Sequence, residues 1–515
     1  MDISTSLKYE AWERLLPGDH IEREYILDGI KTGFSLISKT VPDSVRSETD
    51  NYSSATCPKA RSFVENQIKR ELNNGRYIKV DTKPQIISAL GAVPKNVEET
   101  EFRPIHDAKQ PIGAALNDFA INDPFRYQSI QDVVDIIKPG DWLGKLDLQS
   151  AYRSVGIKRS NYQYTGLKWR FTGDKKDTYM IDTRLPFGSS RSPGIFNSLS
   201  QGVLAIMRKK GYFNIVVYLD DYIFVCSSYE ECQRTMLALM RVLRELGFSI
   251  NYNKVVGPAQ RIVFLGIEID TIKMTLTLPD SKVTDLSTCL ERIGNSDKVT
   301  KKKLQSLIGK LNWACQVVYG GRFHLRRLIE KIAGLRQPSH RTRVTRDMRL
   351  DITWWLSFLK LKQITSVSMV NNRPSDSVSI DSSSIAAGCH YRGDVVYAPW
   401  SLAGPHIAQL HINHKEILAL EVAASFWAPY WKDKTVYVHT DNMCALHSIR
   451  KGTSKHPLAM DSLRKVWWLS AIFNFRLRPV YYSTKDNIIA DRASRLHEVN
   501  GIEKLKSAML NSCYH

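Results

Sequence analysis

Two adjacent carboxylates, Asp220 and Asp221, interrupt a run that is otherwise apolar or aromatic, with Ile215-Val216-Val217-Tyr218-Leu219 before them and Tyr222-Ile223-Phe224-Val225 after. The run reads as buried β structure folded into a hairpin at the acids. Burying an ionised carboxylate without compensation costs several kcal/mol or more, so a buried pair calls for a cation between them, and a divalent metal is the natural one. A surface turn is the other reading of two aspartates, although turn carboxylates usually stand beside Gly, Asn or Ser. Phosphoryl transfer supported by two hard cations about 4 Å apart also needs a carboxylate from a second strand. The stretch Gly144-Lys145-Leu146-Asp147 supplies one, and an aromatic, Tyr152, follows five residues later. Alone, Asp147 fits a helix N-cap as well as it fits catalysis, and Tyr152 alone fits a packed core ring. A second set of acids lies further along. Asp381 sits in Ile380-Asp381-Ser382-Ser383, Glu416 in the helical run Lys415 to Leu420, Asp441 at the end of Val436 to Thr440, and Asp491 in the short apolar helix Asn487 to Arg495. Four acids aimed at one point from strand ends and helices suit two Mg²⁺ ions, which prefer oxygen ligands. Each acid taken singly also fits a cap or an ion-pair partner, and Glu421 competes with Glu416 on the same helix.

The elements that must position these acids follow from hydrophobic periodicity. Arg61 to Tyr77 reads as a helix; Gln85 to Pro94, Phe102 to Ile105, Leu143 to Leu146 and Gln163 to Phe171 read as strands; Ser198 to Lys209 and Glu230 to Leu246 read as helices flanking the hairpin. Strands and helices without strict βαβ repetition imply an α+β fold. Leu278 to Leu359 reads as helical, broken at Gly320-Gly321 and Pro338, and a second α/β pattern runs from Val378 to Leu496. The expected organisation is an N-terminal extension and linker (1–60), an α+β region (61–275), a basic helical region (276–370), an α/β domain (371–500) and a C-terminal tail (501–515).

Composition narrows the class. With 515 residues, 43% of them hydrophobic and 24% charged, the chain is an ordinary globular protein of several domains. No run approaches the roughly 18 apolar residues of a membrane span, and Met-Asp-Ile-Ser-Thr-Ser lacks a secretory pattern, so a cytoplasmic or nuclear location is expected. Eight scattered cysteines without a C-x-x-C pair argue against a zinc knuckle or a disulfide framework. The net charge is +20, and from Arg292 to Arg349 there are 15 Lys/Arg against three acids. One-signed charge of that density points to a phosphate backbone as partner.

Taken in order, the blocks resemble the reverse transcriptase family. Asp147 with Tyr152 resembles its first palm motif, Leu185-Pro186-Phe187-Gly188-Ser189-Ser190-Arg191-Ser192-Pro193 the second and Tyr218-Leu219-Asp220-Asp221 the third. Lys254 sits where that family has a palm lysine, and Phe264-Leu265-Gly266 resembles the primer-grip turn. The resemblance implies that Asp147, Asp220 and Asp221 bind metal, that Tyr152 excludes a 2′-hydroxyl by clash, and that Phe187, Gly188 and Lys254 face the nucleotide. Val93-Pro94-Lys95 and Phe102-Arg103-Pro104-Ile105 resemble the fingers segment that meets the triphosphate. For Lys95 a solvated surface cation is an equal reading, whereas Arg103 lies in an apolar strand. Phe187, in place of a polar residue of the retroviral enzymes, is similar to LTR-type and DIRS-type retrotransposon enzymes; Phe102 to Asp107, with Pro111, Gly113 and Asn117-Asp118 after it, looks most like the DIRS-type group.

The order Asp381, Glu416, Asp441, Asp491 resembles ribonuclease H over about 120 residues. One departure stands out, because many such domains carry a His shortly before the last Asp and this chain reads Tyr481-Tyr482-Ser483-Thr484 there. Together the two resemblances imply a right-hand polymerase of fingers and palm with a basic helical thumb and connection, followed by an α/β ribonuclease H-like domain. The implied activity is RNA- and DNA-directed DNA synthesis with cleavage of the RNA of hybrids. Mg²⁺, two ions per site, is the implied cofactor, with Mn²⁺ as a substitute. The implied partners are an RNA template, a DNA primer, the RNA/DNA hybrid, dNTPs and a second copy of the chain, with no membrane. A silent retroelement remnant that only binds nucleic acid is the alternative, and it predicts decay of a catalytic acid; all seven are present. An RNA-synthesising polymerase is a third reading, and Tyr152 discriminates against it.

Overall fold

The computed structural model describes residues 5–94, 102–121, 124–318, 320–360, 366–369 and 375–512. The chain divides into two compact units, one running to Leu265 and including Ile269–Lys273, the other formed by Gly266–Glu268 and the chain from Met274.

At the centre of the first unit is a four-stranded antiparallel sheet. Its strands are β1 (Trp142–Asp147), β2 (Ile215–Tyr218), β3 (Asp221–Cys226) and β4 (Val256–Ala259), in the order β4-β1-β3-β2. The period of two puts Ile215, Val217, Tyr222 and Phe224 into one core with Ile195, Phe196, Leu199 and Val203 of helix α1 (Ser192–Lys209) and Leu239 and Leu243 of helix α2 (Tyr229–Glu245). Val216, Ile223 and Val225, on the opposite side of the strands, are buried as well, which is why the run is apolar almost throughout.

Residues 5–60 are not an extension with a linker. Trp12, Leu16 and Ile26 are fully buried in that same core, and the Trp12 indole donates to the Leu246 carbonyl at 3.2 Å. Each large apolar side chain buried there contributes about 1.5–3 kcal/mol. The polar stretch Ser44 to Ser54 is tied down by hydrogen bonds. Ser47–Glu48 pairs in parallel with Ile86–Ile87, and the Asn51 side chain accepts from the Leu90 amide and donates to the Lys168 carbonyl, both at 2.8 Å. A linker-like composition is here a set of local hydrogen-bonding groups.

Helix Pro58–Asn73, with proline at its start, buries Ala60, Val64 and Ile68 against Leu90, Phe102 and Trp169. Strands Ala89–Pro94 and Phe102–Asp107 pair antiparallel, with Val93 opposite Arg103. Lys95 lies outside the described residues.

In the second unit the region expected to be helical carries helices Asp280–Gly294, Lys301–Ala314, Arg326–Ala333 and Arg346–Leu359. Thr300 and Thr345 cap two of them by accepting from the amides of Lys303 and Met348. A short antiparallel pair, Lys298–Thr300 with Arg341–Arg343, was not anticipated from periodicity. The C-terminal domain is built on a five-stranded mixed sheet of β5 (Ser375–Ser382), β6 (Ala386–Tyr391), β7 (Asp394–Pro399), β8 (Thr435–Thr440) and β9 (Arg476–Tyr481), ordered β7-β6-β5-β8-β9. β5 pairs antiparallel with β6 and parallel with β8, which pairs parallel with β9. Its helices are α3 (Ile412–Trp427), α4 (Met443–Lys451), α5 (Pro457–Phe473) and α6 (Ile488–Ser494). The stretch expected as a tail forms helix Gly501–Ser512 and buries Leu505. Among the described residues no helix is long and apolar enough to cross a membrane.

Candidate active sites

Strand register brings the first set of acids together. Asp147, the last residue of β1, stands directly opposite Asp221, the first of β3, and Asp220 occupies the two-residue turn between β2 and β3. Leu219 leads that turn with φ 57°, a left-handed conformation that costs a branched side chain roughly 1–2 kcal/mol. The Ser200 hydroxyl of α1 donates to the Leu219 carbonyl at 2.7 Å and holds the turn in place. The Leu148 amide donates to the Asp220 carbonyl at 3.2 Å, and the Asn251 amide to the Asp147 carbonyl at 2.9 Å, so the acids sit on a fixed backbone.

Two of these three carboxyls hold their proton more tightly than usual. Burial pushes the Asp220 carboxyl up and the charge of Asp147 adds to it, with Lys254 and Arg103 opposing. Asp221 is pushed up to about 7, first by burial, then by its hydrogen bond with Asp147 and by the charge of Asp220. The Lys254 ammonium lies 2.9 Å from Asp147 Oδ2 and is held charged by it. A hard divalent cation matches this all-oxygen, anionic donor set.

Tyr152 flanks the acids. Its half-buried ring stacks on Phe187 (centroids 5.3 Å apart, 24° between planes) and leans on Phe196 at 5.4 Å, while its hydroxyl feels the charge of Asp220. The Arg103 guanidinium lies 5.8 Å from the centre of the Phe187 ring, so Arg103, Phe187 and Tyr152 form one row. Gly188 follows with φ 128°, and a Cβ there would lie 2.0 Å from the His106 carbonyl oxygen, so only glycine fits. Phe264 is buried at the end of strand Arg261–Phe264, and Leu265 and Gly266 turn with φ of 48° and 81°.

Two residues have supporting roles that the sequence reading did not assign, Asn117 having been read only as part of a subgroup resemblance and Arg153 not at all. Asn117 accepts from the Ser190 amide at 2.8 Å and donates to the Gly188 carbonyl at 3.0 Å, clamping the loop that carries Phe187. Arg153, next to Tyr152, is buried and binds both oxygens of Asp182 (2.8 and 2.9 Å) and Glu71 Oε2 (3.0 Å). Asp182 has no exposed surface, so Arg153→Ala leaves a buried charge uncompensated. Stability falls by about 3–5 kcal/mol, read as a lower denaturation midpoint, whereas an unchanged midpoint would contradict this role. Neither residue carries a spacing signal, because their partners are 29 to 82 positions away.

The second set converges more tightly. Asp381 in the middle of the domain on β5, Glu416 on α3 and Asp441 just after β8 place one carboxylate oxygen each within 4.8 Å of one another. Among the described residues this is the one group of three so arranged. Glu416, almost wholly buried, accepts from the Ser382 amide at 3.0 Å and from the Thr440 hydroxyl at 3.3 Å. Burial, then the charges of Asp381 and Asp441, hold its carboxyl well above the usual range. Asp381 accepts from the Ser494 hydroxyl at 2.6 Å and is pushed up to about 6, mainly by burial. Asp491 stands outside the three. It pairs with Arg495 at 2.9 Å, while its charge reaches Asp381. Glu421 points elsewhere and pairs with Lys465. In the stretch Tyr481 to Thr484, Tyr482 stacks on His439 (3.9 Å, 10°), and the Thr484 hydroxyl donates to Asp441 Oδ2 at 2.6 Å.

These geometries can be set beside known proteins. Residues 93–269 match the family model described as reverse transcriptase (RNA-dependent DNA polymerase). That stretch carries the likeness to a reverse transcriptase domain. Arg103, Asp147, Tyr152, Phe187, Gly188, Asp220, Asp221, Lys254 and Phe264 to Gly266 all fall inside it. The chain is 24% identical over 186 residues to the Gag-Pol polyprotein of Gibbon ape leukemia virus, covering 36% of this chain and 11% of that protein. It is 22% identical over 377 residues to the putative enzymatic polyprotein of Cassava vein mosaic virus (69% and 52%) and 22% identical over 527 residues to the enzymatic polyprotein of Figwort mosaic virus (95% and 69%). The chain thus spans about a tenth to two thirds of the curated relatives it matches.

Among solved structures, the foamy viral protease-reverse transcriptase in complex with RNA/DNA hybrid superposes with a TM-score of 0.55 at 18% identity, covering 92% of this chain and 63% of that one. The same viral enzyme in complex with dsDNA gives 0.53 at 16% identity, covering 94% and 99%. The fold is therefore that of a reverse transcriptase, polymerase domain first and an α/β ribonuclease H-like domain after it. The acids Asp381, Glu416, Asp441 and Asp491 lie beyond the residues matched to the reverse transcriptase domain.

Proposed function

We propose that the chain is the RNA- and DNA-directed DNA polymerase of a retroelement, with a C-terminal ribonuclease H that cleaves the RNA of RNA/DNA hybrids. The observation that carries the polymerase reading is the pairing of Asp147 with Asp221 across β1 and β3, beside the stacked Tyr152. The cluster Asp381, Glu416 and Asp441 supports the nuclease. Asp147, Asp220 and Asp221 would hold divalent cations in the first site, and Asp381, Glu416 and Asp441, with Asp491 beside them, in the second; Mg²⁺ fits both donor sets, and Mn²⁺ substitutes. Bound cations of this kind lower the pKa of an attacking hydroxyl or water and offset charge on the phosphate.

The residues themselves set orientation and selectivity. Lys254 places a positive charge against Asp147, and Arg103 brings another into the field of Asp220, where a triphosphate would need them. The excess of Lys and Arg between Arg292 and Arg349 suits the backbone of a template and primer, which is bound by charge and shape without base reading. Phe187 fits a DIRS-type or related LTR-type element and the Phe102 to Asp107 segment favours the DIRS-type, working in the cytoplasm or nucleus. A second copy of the chain is a further partner.

Tyr152 selects dNTPs by shape, because its ring is wedged between Phe187 and Phe196 and cannot move aside for a 2′-hydroxyl. Tyr152→Ala therefore lowers discrimination between dNTP and rNTP at least about tenfold, measured as the ratio of kcat/KM values for the two. Unchanged discrimination would remove Tyr152 from this role.

The protonation of Asp221 gives the enzyme a pH signature. Its folded pKa of about 7 lies above the ordinary 3.8, so the metal-free folded state binds this proton more tightly than the unfolded chain. The stabilisation is fully present below pH 3.8 and is lost as pH rises through about 7. A cation must displace the same proton. The Mg²⁺ concentration for half-maximal extension therefore rises as pH falls below about 7, and a requirement flat from pH 6 to 8 would contradict the assignment.

A further inference from the structure

A second feature, apart from both acid clusters, is a cavity of about 490 Å³ in the C-terminal unit. It opens between Val318, the turn Gly320 to Phe323, the C-terminal end of α4, helix α5 and the edge strand β9. Its floor is apolar, made by Val466, Trp467, Leu477 and Val480, and the part-exposed rings of Phe323 and Tyr437 also line it. Gly320, with φ 81°, shapes the turn, since a Cβ there would lie 1.5 Å from the Trp467 indole. Around the opening stand Arg322, Arg450, Lys451 and Arg478, all exposed, and no acidic residue lines the cavity.

Two of these cations have an ordinary explanation. Arg450 and Lys451 occupy the last turn of α4, where positive charge complements the helix dipole. Arg322 and Arg478 do not, because they come from a turn and from a β-strand and reach the same opening. Among the described residues none of the four is held in an ion pair. Like charges gathered from three elements repel, and an anion at the opening relieves that repulsion.

Cations around aromatic and apolar walls suit a ligand with alternating phosphates and flat rings, and single-stranded nucleic acid is held in this way by stacking and backbone charge. The volume lies within the range of small-ligand pockets and suits about one nucleotide unit. An acidic peptide would use the cations and leave the rings unused. A duplex hides its ring faces in the stack.

We propose that this cavity is a single-stranded nucleic-acid site, with a base against Phe323 and Tyr437 and the flanking phosphates at Arg450 and Arg478. The inference rests on neither the polymerase nor the nuclease reading. The test uses the full chain saturated with unlabelled blunt-ended duplex, so that duplex-binding surfaces are occupied without a competing single strand, and follows a fluorescent oligo(dT) octamer by anisotropy. The octamer binds in the presence of excess duplex. Arg450→Gln with Arg478→Gln weakens it by about tenfold while primer extension stays at the parent rate, and Phe323→Leu weakens it about three- to tenfold. An abasic octamer with the same phosphates binds as weakly to the parent as the dT octamer does to Phe323→Leu. Three results would each overturn the proposal: equal affinity in the double variant, displacement of the octamer by duplex, or equal affinity for the abasic strand. Competition by polyglutamate with an unaffected Phe323→Leu variant would assign the surface to an acidic protein instead.

Discussion

Asp220→Ala abolishes primer extension, lowering the rate by on the order of a thousandfold or more, while hybrid cleavage stays near the parent rate. The size follows from what the carboxylate does. A metal-held phosphoryl transfer draws several kcal/mol of transition-state stabilisation from its cations, and each 1.36 kcal/mol is tenfold in rate. The variant should fold. Asp220 makes its main structural contacts through its backbone, whose carbonyl accepts from Leu148, and that bond survives in alanine. Removing its charge also relieves Asp221, whose carboxyl it helps to push up. Thermal melting of the metal-free protein therefore stays level or rises, which separates loss of chemistry from loss of fold. Extension at more than about a tenth of the parent rate would remove Asp220 from the site.

Asp441→Ala gives the opposite pattern, with cleavage of RNA in a hybrid lost by on the order of a thousandfold and extension retained. Among the clustered acids Asp441 is the cleanest to remove. It is partly exposed, its side chain accepts from Thr484, and its charge helps to raise the carboxyls of Asp381 and Glu416. Removing Glu416 would leave the buried Ser382 amide without its 3.0 Å acceptor and cost stability as well as activity. The two measurements are hybrid cleavage under single-turnover conditions and extension on a DNA template. Because the two sites belong to different compact units, simultaneous loss of both activities in either variant would mean that the roles are misassigned.

How much of this was legible in the sequence depended on whether a residue's partner was near in the chain. The hairpin at Asp220 was readable because apolar runs on both sides of two charges leave few alternatives, and the α+β class followed from the mixed order of elements. Placing Asp147 opposite Asp221 required a strand register 74 residues apart, which the spacing to Tyr152 and the family resemblance suggested and hydrophobicity alone did not. The contest between Glu416 and Glu421 could not be decided from periodicity, since both lie on one helix. Packing decides it, because one carboxylate turns into the sheet and the other meets Lys465 at the surface.

Residues 5–60 were misread for a related reason. Trp12, Leu16 and Ile26 look like an isolated amphipathic segment until the core that receives them is known, and Ser44 to Ser54 looks like a linker because its hydrogen-bond partners lie far away in sequence. Asp491 shows the limit of motif order. Its helix is where the sequence placed it, yet its carboxylate is paired with Arg495 and stands outside the three that converge. Arg153 and Thr484 belong to the same class of residue, with roles set by long-range contact.

The most direct test is primer extension on an RNA template with the purified chain, dNTPs and Mg²⁺, run beside Asp220→Ala and beside the parent with the metal chelated. Extension to the template end by the parent, absent from both controls, is the expected result. Extension that persists in Asp220→Ala, or a parent that binds the hybrid tightly and in a salt-sensitive way but adds no nucleotide, would contradict the assignment of a polymerase site to Asp147, Asp220 and Asp221.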